Sequence, residues 1–380
     1  MKRVSFVNAR LIAALLAALI ATPASSQVGE SCPPLTHRVP AETIAALAKG
    51  FNLAGWTDDP DMIAKVSKTL RDLRKSGMTH IRLPVPAENV MSIYSSAVDR
   101  GAQLAALDRA LKDLTTMGFV VSVDVHPGDA FNQMHKKAPE VAMGQLQDAW
   151  RALAPVIARY PAKMVYAELL NEPDVSAEIW QTQAEQLARF VRELLPDTTI
   201  IVGPVNWQRP DSLEGFRALE DLNVVYAIHF YDPMAFTHQG HWDANDPLSD
   251  IRGLPFPIVA TEKAVVALDA QLSAAHKTAA LQILREATIH GAGDIVSTNL
   301  EPAIRWQQQN RRPIIINEFG VLKAHAPRDS RLRWLRSVVE HAEQHCWGWA
   351  HWELAQGFGL MDDRIGRPDG GVLRALLRRP

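Results

Sequence analysis

Two glutamates stand where apolar runs end, each beside an asparagine and each close to a chain breaker. Glu172 closes Leu170-Asn171-Glu172-Pro173, after the run Met164-Val165-Tyr166-Ala167-Glu168-Leu169. Glu318 closes Ile314-Ile315-Ile316-Asn317-Glu318-Phe319-Gly320, 146 positions later. A proline or glycine at that point stops a strand and turns the chain outward. A carboxylate at the mouth of a buried strand is placed for acid–base work, and two can divide the labour. One, protonated, gives its proton to a leaving oxygen; the other, ionised, attacks or activates water.

Other reactive side chains occupy similar places. Arg82 lies in His80-Ile81-Arg82-Leu83-Pro84-Val85, and His126 ends Asp124-Val125-His126. His229 and Tyr231 end another apolar run, Trp352 follows a further one, and Trp207 comes soon after Thr199-Ile200-Ile201-Val202-Gly203. Taken singly, a glutamate at a strand end is ordinary surface, a histidine a structural one, a tryptophan core. Two carboxylates, two histidines, a tyrosine, an arginine, an amide and a tryptophan at six strand ends are a constellation.

The elements that must position them alternate. Apolar runs beginning near Phe51, His80, Phe119, Met164, Thr199, Val224, Pro313 and Trp347 read as eight strands. Between them lie amphipathic stretches, such as Ile63, Val66, Leu70 and Leu73 ahead of Gly77, or Leu104, Leu107, Leu111 and Leu114 ahead of Gly118. The strands are continuous apolar runs, as expected where both faces are buried. Eight such units predict an α/β fold, a (β/α)8 TIM barrel, over a doubly wound sheet, because no glycine-rich phosphate loop opens any helix. The long segment after strand six, with helical stretches near 276–290 and 297–310, reads as an insertion into a single domain. Asp211 to Leu222 reads as a short helix after strand five. In a barrel the strand ends named above share one mouth, at the C-terminal face.

Residues 1–26 read as a secretory signal peptide: Lys2, Arg3 and Arg10, then an apolar run of 11 residues from Leu11 to Ala21, then Ala24-Ser25-Ser26. That run is too short to span a bilayer, so residues 27–380 are expected as a secreted or periplasmic catalytic domain with no membrane anchor. Removing the leader leaves 37 basic against 42 acidic residues, a net charge of −5. An acidic surface without a basic patch argues against a nucleic-acid partner. Two cysteines, Cys32 and Cys346, form either a bridge in the oxidising compartment or a loose thiol and a buried one. His341 and His345, four apart, are the nearest approach to a metal-ligand spacing. They precede strand eight, away from the mouth, and read as a solvated helix face. No metal or cofactor is expected, and no Gly-x-Ser-x-Gly elbow suggests an ester hydrolase. Glycosidic cleavage is the reaction that two carboxylates support unaided.

The chain resembles glycoside hydrolase family 5, the cellulase-like family. The resemblance runs from Gly50-Phe51-Asn52-Leu53-Ala54-Gly55-Trp56 through Ile81-Arg82-Leu83-Pro84, Asp124-Val125-His126, Leu170-Asn171-Glu172-Pro173, His229-Phe230-Tyr231 and Ile316-Asn317-Glu318-Phe319-Gly320 to Trp352. It implies a retaining mechanism with Glu172 as acid/base and Glu318 as nucleophile. Arg82 and Tyr231 would hydrogen-bond the nucleophile, and Asn171 the sugar 2-hydroxyl. His126 and His229 would line the subsite of cleavage, and Trp352 would lie under its sugar. Departures are Ala54, where a second glycine is frequent, and Thr57-Asp58-Asp59. The segment 232–275 matches nothing and reads as a cleft wall, with Trp242, like Trp207, a possible sugar contact. The expectation is a monomeric endo-acting hydrolase of a β-1,4-glucan, binding an oligo- or polysaccharide. Mannanase, xylanase, exo-β-1,3-glucanase and transglycosylase share the same positions; a carbohydrate-binding barrel stripped of catalysis would be marked by loss of either glutamate, and both are present.

Overall fold

A computed structural model describes residues 32, 34–59, 61–290, 294–364 and 366–378. The signal-peptide reading falls outside these residues. Pro33–Pro380 forms one compact unit. Within it eight parallel strands close into a barrel: β1 (Lys49–Asn52), β2 (His80–Pro86), β3 (Val120–His126), β4 (Val165–Glu168), β5 (Ile200–Val202), β6 (Val224–Phe230), β7 (Ile314–Phe319) and β8 (Gly348–His351). β1 pairs with both β2 and β8, which shuts the ring and leaves no edge. This is the (β/α)8 barrel.

Alternate residues of each strand face the barrel axis, and their character changes along it. At the N-terminal end the interior is apolar: Val120, Tyr166, Ile201, Val225 and Ile315 cluster with Leu47, and the helix Ala41–Ala46 contributes Ile44 and Ala46 to the same cluster. Two residues further up, His80 hydrogen-bonds Ser122 across β2 and β3 at 2.8 Å. Above these the inward positions become Arg82, Asp124, Glu168 and Asn317, all within 1% of full burial. A core is thus converted into a reactive floor within one strand length. The larger apolar cluster fills the space between barrel and helices, with Trp150, Trp180, Trp306 and Trp334 fully buried there.

The helices start where the sequence supplies caps. Ser96 accepts from the Asp99 amide at the head of Ala97–Thr116, and Ser176 from Ile179 at the head of Ala177–Leu194. Two elements differ from the sequence reading. The helix after β5 covers only Pro210–Glu214, not 211–222. Phe216 and Leu219 are buried without helix, and Trp306 of the helix Ile295–Asn310 donates to the Phe216 carbonyl. The segment 232–275 also carries a helix that the sequence reading did not place, Lys263–Ala274, buried through Val265, Leu268 and Leu272. His345 caps the end of Arg328–Gln344, and His341 hydrogen-bonds Asp294 at 2.9 Å. No helix among the described residues is long and apolar enough to cross a membrane. Cys32 and Cys346 are not free thiols; each is disulfide-bonded.

Candidate active site

The C-terminal mouth of the barrel opens into a cleft of about 420 Å³. Glu172 and Glu318 lie in its floor with His126, Asn171, His229 and Tyr231. Trp352 and Trp207 also line it, as does Trp242. Arg82 sits beneath, fully buried. All the strand-end residues singled out in the sequence therefore converge.

Arg82 organises the floor. Its Nε and one Nη2 proton go to the two oxygens of Glu168, at 2.8 and 2.9 Å. Nη2 also donates to Asn171 Oδ1 at 2.8 Å, and Nη1 to Asn52 Oδ1 at 3.0 Å and Glu318 Oε1 at 2.5 Å. All five guanidinium protons are thus committed. Asp124 makes an ion pair at 2.6 Å on the same side. Glu168 was missed in the sequence, although a charge two positions after Tyr166 in a buried run was its signal. Burial pushes the Glu168 carboxyl up against the pull of Arg82, and Asn317 donates to it at 2.8 Å. Burial works the same way on Asp124 and is the largest single influence, but Arg82 and His126 together outweigh it and hold Asp124 below its ordinary value.

The two mouth carboxylates have different surroundings. Glu318 receives Arg82 on one oxygen and the Tyr231 hydroxyl on the other, at 3.0 Å. Burial, then the charge of Glu318, keeps Tyr231 protonated, so it remains a donor. Glu172 has no such cation in contact. Burial raises its pKa, with His126 and Arg82 opposing, and its partner is His229 Nδ1 at 2.8 Å. Burial holds His229 down to about 3, so its ring is neutral. The β6–β7 pairing slips at Ile228/His229, and that slip sets His229 beside Glu318. One oxygen of each glutamate and one nitrogen of His229 lie within 4.8 Å of each other.

Those three side chains are the described group that could ligate a metal ion. Their atoms are already engaged with each other, with Tyr231 and with Arg82. His126 stacks on Trp352, ring centroids 6.0 Å apart and 17° from parallel, and extends a flat face along the cleft. Burial works against the charged form of His126, yet Asp124 beside it raises its pKa above the ordinary value. Asn171 is fixed by Arg82 through its oxygen, which leaves its amide NH2 toward His126 and the cleft. Trp207 and Trp242 are 67% and 71% exposed, which is unusual for indoles and leaves their faces open. Trp242 lies on His241 at 3.9 Å.

A closed parallel barrel whose mouth holds a protonatable glutamate facing an anchored one, between aromatic faces, defines an enzyme of the glycoside-hydrolase class. The chain belongs to the cellulase family, glycosyl hydrolase family 5, whose model matches residues 41–356. It is 27% identical over 355 residues to Endoglucanase 3 of Fibrobacter succinogenes, covering 87% of this chain and 52% of that protein, so it spans about half of that relative's length. Endoglucanase C of Acetivibrio thermocellus is 25% identical over 321 residues, 80% of this chain and 90% of that one. Among solved structures, the cellulose synthase subunit Z of Clostridioides difficile superposes with a TM-score of 0.68 at 25% identity, over 87% of this chain and 99% of that chain.

Proposed function

We propose that this chain is an exported endo-acting β-glycosidase that cleaves a β-1,4-linked glucan with retention of configuration. Glu172 is the acid/base and Glu318 the nucleophile. The observation that carries the reading is the spacing and asymmetry of the pair. Oxygens within 4.8 Å fit the roughly 5–5.5 Å of a double displacement and leave no room for the interposed water that inversion needs, at about 6.5–9.5 Å.

In the first step Glu318 attacks the anomeric carbon and Glu172 gives its proton to the leaving oxygen. In the second, Glu172, now ionised, takes a proton from water, which displaces Glu318. Burial of Glu172 favours the protonated start. Arg82 and Tyr231 each donate a hydrogen bond to Glu318, one to each oxygen, and hold its carboxyl in place. The Asn171 NH2, which faces the cleft beside His126, binds the sugar 2-hydroxyl with its second proton, and the Trp352 face packs against sugar C–H bonds.

The endoglucanase relatives support a β-1,4-glucan. The likeness to a cellulose synthase subunit favours one variant of this reading, trimming of a glucan that the cell itself exports. Glu318→Gln is expected to abolish turnover. Glu172→Gln is expected to slow natural glucans while sparing the first step on aryl glycosides with good leaving groups. Wild-type release of reducing sugar by Glu318→Gln refutes the roles. Products from soluble glucans, mannans and xylans, compared side by side, decide the substrate.

A further inference from the structure

Glu172 has φ of 45°, a left-handed backbone that side chains disfavour. Its amide cannot join the β4 ladder there. It donates instead to Gln208 Oε1 at 2.8 Å. Gln208 is itself fully buried and is the last of three consecutive left-handed residues, Asn206, Trp207 and Gln208, with φ of 57°, 55° and 52°. Its backbone carbonyl accepts the His229 amide at 2.9 Å. His229 Nδ1 in turn meets Glu172 Oε1 at 2.8 Å. The contacts close a ring from the Glu172 amide, through Gln208 and His229, to the Glu172 carboxyl. Gly203, after β5, makes room for it: a Cβ there would lie 2.0 Å from Gln208 Nε2. A strained backbone at a reacting residue persists only where its surroundings over-determine it, and Gln208 supplies that constraint.

We propose that Gln208 is a positioning residue for the acid. It fixes the main chain of Glu172 and the imidazole that touches its carboxyl, and so aims the proton at the leaving oxygen. The residue before it, Trp207, stands open in the cleft. One turn thus sets both the acid and the aromatic face beside it. The inference rests on Glu172 being the acid/base.

The test is leaving-group dependence of kcat/KM, which reports the first chemical step. Gln208→Met keeps length and removes the acceptor. On cello-oligosaccharides, which need proton donation, kcat/KM is expected to fall about 10- to 100-fold, the scale of a misplaced catalytic group. On a dinitrophenyl cellobioside, which does not, it stays within about threefold. Gln208→Glu, which retains an oxygen at the same reach, is expected to recover most of the loss. If Gln208→Met yields no soluble protein, Gly203→Ala displaces the same amide and is expected to show the same split. Equal loss on both substrates, or no loss on either, overturns the inference. Glu172→Gln measured alongside separates the two questions. If it shows no split, the acid assignment fails; if it splits and Gln208→Met does not, only the positioning role fails.

Discussion

Arg82→Met tests the floor of the site directly. Methionine keeps much of the length and removes the cation that faces Asp124, Glu168 and Glu318, none of whose side chains is more than 6% exposed. All five guanidinium donors are in use, so no water-exposed remnant softens the loss. Removing one partner of a buried ion pair costs about 3–5 kcal/mol. An unfolding entropy of about 2.1 cal/mol/K per residue, applied to Pro33–Pro380, turns this into a Tm lower by roughly 4–7 °C. The sign with pH follows from linkage. In the native protein Asp124 lies below its ordinary value, so its pairing stabilises above about pH 4 and is lost as pH falls through the depressed value. Arg82→Met removes the cation that lowers Asp124 and Glu168, while His126 still acts on Asp124 and Asn317 on Glu168, so both folded pKa values move up from their native positions. The variant therefore loses stability relative to the native protein as pH rises past those values. The Tm gap between variant and native protein is expected to be wider at pH 8 than at pH 5. Calorimetry at both pH values and fixed ionic strength measures it. A gap equal at both, or below about 1 °C at pH 8, would show that Arg82 does not hold the carboxylates together.

Two further outcomes concern activity. Glu172 acts protonated in the first step, so kcat/KM falls as pH rises through its pKa, which burial has raised. The charge of His126 opposes that rise, so His126→Ala is expected to move the alkaline limb of the profile to higher pH; a shift to lower pH contradicts the electrostatics. Trp207→Ala removes an indole that is largely exposed and therefore free to stack on sugar, and KM for cello-oligosaccharides is expected to rise by about 1–2 kcal/mol in binding, roughly five- to thirtyfold. Its melting temperature is expected to stay within about 1 °C of the native value, and an unchanged KM removes Trp207 from the binding face.

What could be read in the sequence was whatever each strand announces for itself. Arg82, His126, Glu172, His229 and Glu318 each end or interrupt an apolar run, and the barrel gathers such ends without knowledge of any partner. Asp211 to Leu222 misled because Leu213, Phe216, Leu219 and Leu222 repeat every three positions. That spacing is also met by an irregular segment whose apolar residues are covered by another element, here with the Trp306 indole on the Phe216 carbonyl. The helix Lys263–Ala274 carried its own signal in Val265, Leu268 and Leu272, obscured by the prolines before it. Gln208 had no local signal. Its left-handed turn contains no glycine, so nothing marks it in the sequence. Its importance lies in two contacts made across the barrel mouth, to Glu172 and to His229, and a buried glutamine becomes informative only when its partners are known. The same logic explains why Glu168 was passed over. One charge in an apolar run looks like a flaw until a guanidinium is found facing it, and then the run has to be a barrel strand with that position turned inward.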